Sequence, residues 1–94
     1  MDQHKLAEEA ANETGVDLHK FVRVVDDLIA LANQSNVDVK STNGVNLALL
    51  YGLSRYGAYI GRMRTGEDRE TYIKKLTERY EAMLRSQFAD PTLK

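Results

Sequence analysis

The stretch Leu47–Met63 (LALLYGLSRYGAYIGRM) decides the fold, because only Ser54, Arg55 and Arg62 interrupt its run of apolar, small and aromatic residues. A helix that is apolar on nearly every side must be covered from more than one direction. At about 100° per residue, with Leu47 set at zero, Tyr51, Arg62, Arg55 and Tyr59 share one stripe between about 40° and 120°. Met63, Tyr56, Leu49, Ile60 and Leu53 form a face of large side chains from about 160° to 240°. Gly57, Leu50, Gly61 and Ser54 form a mostly small face from about 280° to 340°. Each glycine inside a helix costs about 1 kcal/mol relative to alanine. Close approach of another backbone at Gly57 and Gly61 offsets that cost; the alternative is a kink or a weak helix.

Outward from this segment, two further helical patterns appear. The earlier one runs from about 17 to 34. Asp17 is a favourable N-cap, and Val16 and Phe21 stand at the positions of a hydrophobic staple. Gly15 marks the turn before it. Leu18, Phe21, Val22, Val25, Leu28, Ile29 and Ala32 share one face, widened by Val24 and Leu31. Residues 35–43 (SNVDVKSTN) read as a polar connection that ends in Ser41 and Thr42, either of which can cap the next helix, predicted over 42–64. Gly66 suits the end of that helix, and Thr65–Asp68 resembles a capping box with aspartate in place of glutamate.

The last helix is predicted over 67–88. Tyr72, Ile73, Leu76, Tyr80, Met83 and Leu84 lie on a face about 120° wide, and Glu70/Lys74, Lys74/Glu78 and Glu81/Arg85 form i,i+4 pairs. Residues 1–14 form an N-terminal segment, docked or mobile, in which Leu6, Ala7, Ala10 and Ala11 offer the weak apolar edge of a short helix. No alternating β-branched pattern suggests a strand. The expectation is an all-α single domain over 1–94, built from three main antiparallel helices and a short N-terminal one.

Composition narrows function mainly by exclusion. At 94 residues, with 43% hydrophobic and 29% charged residues and a net charge of −1, the chain has the makings of a modest core and lacks the signature of disorder. Near-neutrality argues against a general nucleic-acid binder. The charge is nonetheless uneven: residues 1–38 carry a net −5 and the remainder +4. The absence of cysteine removes disulfides, thiolate metal sites and thiol nucleophiles. The acidic N-terminus lacks the apolar core of a signal peptide, which makes a cytoplasmic location the default reading. Val45–Met63 approaches the length of a membrane span, but Arg55 near its middle argues against one.

No constellation of catalytic residues emerges, so the chain reads as a non-enzymatic protein without cofactor or metal. His4 and Glu8 stand at i,i+4, yet two histidines without a helical partner histidine make a poor metal site. His19 and Asp26 are seven residues apart on an exposed face, too little to nominate a base and its orienting partner. The glycines of 47–63 lie inside a helical pattern, not in the strand-to-helix turn of a phosphate cradle.

Tyr51, Arg55, Tyr59 and Arg62 are the candidate ligand- or partner-binding residues, since arginine beside tyrosine stacks on bases, pairs with phosphate or anchors a protein interface. Their alternative use is intramolecular, with the arginines meeting Asp26, Asp27, Glu67 or Glu70.

Phe21–Asn33 with its Leu-Ala-Asn ending, Ala48-Leu49-Leu50-Tyr51 followed by Arg55-Tyr56 and Ala58-Tyr59, and Tyr80–Leu84 (YEAML) resemble a bacterial family of short helical proteins of unknown function. The resemblance spans most of residues 18–88 and implies an all-α fold and a bacterial setting. It implies no catalytic residues. The functional expectation is a small protein-interaction or assembly module; the alternative is an accessory protein that binds an anionic ligand or RNA through the Arg/Tyr stripe.

The apolar arcs also bear on assembly. The 67–88 helix carries an arc near 120°, whereas the 17–34 helix spans about 180° and the 42–64 helix about 240°. Such a surplus left open exceeds what soluble monomers tolerate. A homodimer is therefore expected, with Leu49, Leu53, Tyr56, Gly57, Ile60 and Gly61 at the interface or at close helix packing.

Overall fold

The computed structural model describes residues 4–64 and 66–91. Its elements are four α-helices, α1 (His4–Thr14), α2 (Leu18–Val39), α3 (Thr42–Met63) and α4 (Arg69–Ala89), and there is no strand among the described residues. The fold is all-α, and the N-terminal segment supplies a full helix of 11 residues.

Helix ends follow local chemistry. At the end of α1 the Gly15 N–H donates to the Asn12 carbonyl and the Val16 N–H to the Ala11 carbonyl, at 3.3 and 3.0 Å. This paired closure needs a left-handed residue, and Gly15 supplies one with φ of 72°. Asp17 then caps α2, its Oδ1 accepting from the His19 and Lys20 N–H groups at 2.9 and 3.2 Å. Ser41 caps α3 by accepting from the Gly44 N–H at 3.0 Å. Asp68 caps α4 by accepting from the Thr71 N–H at 3.1 Å, so α4 begins two residues later than the predicted 67. Thr65, the other end of the anticipated capping box, lies outside the described residues.

Two boundaries differ from the sequence reading, each in its own way. The segment 35–39, anticipated as connection, continues α2 to Val39. The chain turns only at Lys40, which adopts φ of 59° while its N–H donates to the Asn36 carbonyl at 2.7 Å. A lysine in the left-handed region does the work usually given to glycine, and this moves the stop signal five residues downstream. At its far end α3 stops at Met63, with Arg64 extended, and Gly66 is left-handed only beyond it.

The chain divides into two compact units, Met1–Val22 with Glu67–Lys94, and Arg23–Gly66. In the first, α1 and α4 meet. Arg79 Nη2 donates to Glu13 Oε1 and Oε2 at 2.8 and 2.7 Å, and Leu6 and Ala10 line a cleft together with Ala82 and Met83. Ala10 and Ala11 are its buried residues, Ala11 at 1% exposure, because side chains this small let α1 sit close to its neighbours. Along α4, Lys74–Glu78 and Glu81–Arg85 pair at 4.0 and 2.9 Å, and Lys75 reaches Glu67 at 3.8 Å. The second unit is a helical hairpin, the rest of α2 turning through Lys40–Ser41 into α3, with Asn36 Nδ2 donating to Thr42 Oγ1 at 3.4 Å across the turn.

Candidate functional site

The three faces of α3 meet different surroundings. Gly57 is its buried residue and Gly61 is half-buried, whereas Leu50 and Ser54 of the same small face are exposed, so it is the two glycines that sit inward. A missing Cβ permits close approach there. On the large face Ile60 is half-buried and the rest is open: Leu49, Leu53 and Met63 are exposed, Leu53 at 49% and Tyr56 at 65%. Gly52 also stands in open space, with no atom within 4 Å of where a Cβ would lie.

The Arg/Tyr stripe is presented as a group. Tyr51 and Tyr59 are 68% and 60% exposed, and Arg55 and Arg62 between them are exposed as well. The Tyr59 ring lies 6.5 Å from that of Tyr56, tilted by 34°, which links the stripe to the large face. Ser54 Oγ donates to the Tyr51 carbonyl at 2.7 Å, so this hydroxyl is satisfied within the helix. Neither Arg55 nor Arg62 makes an ion pair with another described residue, and Asp26 and Asp27 are equally without one. Glu67, one of the anticipated intramolecular partners, holds Lys75 instead.

On α2 the half-buried positions are Leu18, Phe21, Val22, Ala32, Ser35 and Asn36, while Val24, Val25, Leu28, Ile29 and Leu31 are exposed. The sequence reading placed Val25, Leu28 and Ile29 on the core face and Val24 and Leu31 at its margin. A hairpin of two helices covers only one strip of each, so all five remain open to solvent.

Two features of the other unit were not anticipated. One is the Glu13–Arg79 fork, whose partners are 66 positions apart and carry no signal in the sequence. The other is the cleft beside it, about 180 Å³ in volume. Pockets that hold small-molecule ligands enclose about 300–1,000 Å³, so this cleft is too small to suggest a substrate.

Among the described residues no group of three or more His, Cys, Asp or Glu side chains is placed to hold a metal ion. The side chain of His4, and with it the His4–Glu8 pair, lies outside the described residues. Also among these residues, no helix is long and apolar enough to cross a membrane. No curated protein and no solved structure matches the chain. Residues 21–91 match the model of a family described as a protein of unknown function (DUF3144), a span that takes in all of α3 and α4 and nearly all of α2, and the chain belongs to that family.

Proposed function

We propose that the protein is a small, non-enzymatic protein-interaction module whose working surface is the α2–α3 hairpin. The observation that carries this reading is the open large face of α3, with Leu49, Leu53, Tyr56 and Met63 exposed on one side of a single helix. Soluble proteins keep such contiguous apolar surface for partners, since leaving it in water forfeits about 25 cal/mol per Å². Tyrosine and arginine at its edge are the residues that interfaces most often use as anchors. The test is affinity capture from the native host with wild-type chain and with Leu53→Glu as bait. A protein retained by the first and lost by the second is the expected result; equal retention by both baits removes the hairpin face from the reading.

The second reading, an anionic ligand or RNA bound through Arg55 and Arg62, is favoured by one observation: both guanidinium groups are exposed without an ion-pair partner among the described residues. Phosphate recognition would weaken steeply as salt rises, whereas an apolar interface would not. Titration of total cellular RNA at low and moderate salt, with Arg55→Ala/Arg62→Ala as control, decides between them. Absence of binding at both salts removes this reading.

A further inference from the structure

We infer that Asn43–Gly44 is a site of spontaneous covalent modification, an asparagine that cyclises onto the amide of the next residue, and that the Ser41 cap of α3 sets its rate. Both residues lie in the first turn of α3 and both are exposed. Glycine is the most permissive residue to follow an asparagine, because it has no side chain to hinder attack by its own nitrogen and lets the backbone turn freely. The other asparagines, Asn12, Asn33, Asn36 and Asn46, precede Glu13, Gln34, Val37 and Leu47, whose side chains obstruct that approach.

The step needs only water. The Gly44 nitrogen bonds to Asn43 Cγ, the Cγ–Nδ2 bond breaks, and ammonia leaves with the amide proton. Water then opens the cyclic imide at Cγ, which gives aspartate, or at the Asn43 backbone carbonyl carbon, which gives isoaspartate with the chain rerouted through the side chain. Nothing is oxidised or reduced.

The folded chain restrains this reaction by a narrow margin. Asn43 is helical, and ring closure requires it to leave that conformation. The Gly44 N–H, whose proton must be lost, donates to Ser41 Oγ at 3.0 Å. The main-chain ladder of α3 begins only with the Val45 N–H, which donates to the Ser41 carbonyl at 3.0 Å, so an exposed hydroxyl is what engages the Gly44 amide. Lys40, directly before the cap, is held at φ of 59°, a strain that opening of the turn relieves.

The glycine and the cap are coupled. A Cβ at position 44 would stand 3.0 Å from Ser41 Oγ and 3.3 Å from Ser41 Cβ, tighter than ordinary contact. The residue that makes Asn43 labile is therefore also the one that admits its protecting cap. Conversion to aspartate places a carboxylate at the start of α3, and conversion to isoaspartate breaks its first turn, in either case altering the hairpin that carries the open face.

The test is prolonged incubation of the full chain, followed by peptide mapping with mass spectrometry and by detection of isoaspartate. In the folded wild type, Asn43 should convert ahead of the other asparagines, and more slowly than in the same chain unfolded in urea. Ser41→Ala should speed conversion at Asn43 roughly fivefold, the factor by which loss of a cap favours local opening. Ser41→Asp keeps an acceptor and should stay near the wild-type rate. An unchanged rate in Ser41→Ala overturns the inference, as does earlier conversion at another asparagine or a Ser41→Asp chain as fast as Ser41→Ala. Acceleration shared in equal measure by Asn12 and Asn33 marks general unfolding and overturns the control by the cap.

Discussion

At the scale of single residues, two positions carry backbone costs that the rest of the molecule does not repay, and each predicts a stabilising substitution. Lys40 holds φ of 59°, which costs an L-residue about 1 kcal/mol or more and costs glycine little. Lys40→Gly should therefore raise stability by about 0.5–1 kcal/mol, read as a higher urea midpoint at unchanged m-value. Gly52 presents the reverse case, a helical glycine with open space where its Cβ would be. Gly52→Ala should gain about 0.5–1 kcal/mol, seen as an increase in Tm. Gly57→Ala should lose stability in the same assay, because Gly57 is buried. The caps at Asp17 and Ser41 were legible in the sequence, since a short side-chain oxygen before an apolar run has one evident use. The turn at Lys40 was not, because lysine has no intrinsic preference for the left-handed region and so gives no local signal of a stop.

At the scale of elements, α3 and α4 stand close to their predicted limits because apolar periodicity and capping chemistry agree along them. The far end of α2 disagrees: Asn36-Val37-Asp38-Val39 combines β-branched and turn-prone residues, and reads locally as a connection although it is helical. Helix α1 shows a different limit of the sequence. Its apolar edge is mostly alanine, which signals little hydrophobicity yet buries most completely, since packing distance and not side-chain bulk decides burial there. For the candidate site, the grouping of Tyr51, Arg55, Tyr59 and Arg62 follows from periodicity alone. Which α3 face turns inward does not, because it depends on where a neighbouring backbone can approach. The fork joining α1 to α4 yields a prediction of its own. A double-mutant cycle with Glu13→Gln and Arg79→Gln should return a coupling of about 0.5–1 kcal/mol, small because both side chains are about half exposed. Repeating the cycle in 1 M salt should reduce it further.

At the scale of the whole molecule, self-association through the open face of α3 would make stability a function of concentration. A tenfold dilution removes about 1.4 kcal/mol from a dimer, so Tm should fall by a few degrees, whereas a monomer's Tm should not move. The division of the chain into units also sets an order of events. The unit Arg23–Gly66 is contiguous in sequence, while the other joins both ends of the chain across that intervening segment. Closing the longer loop costs entropy before any contact is returned, at about 0.6 kcal/mol for each doubling of length. The hairpin should therefore be formed at the folding barrier, and the docking of α1 on α4 should follow it. In stopped-flow refolding, Ala32→Gly in α2 should slow folding, and Ala11→Gly in α1 should instead speed unfolding. The chain would thus expose the open face of α3 early, before α1 has docked on α4.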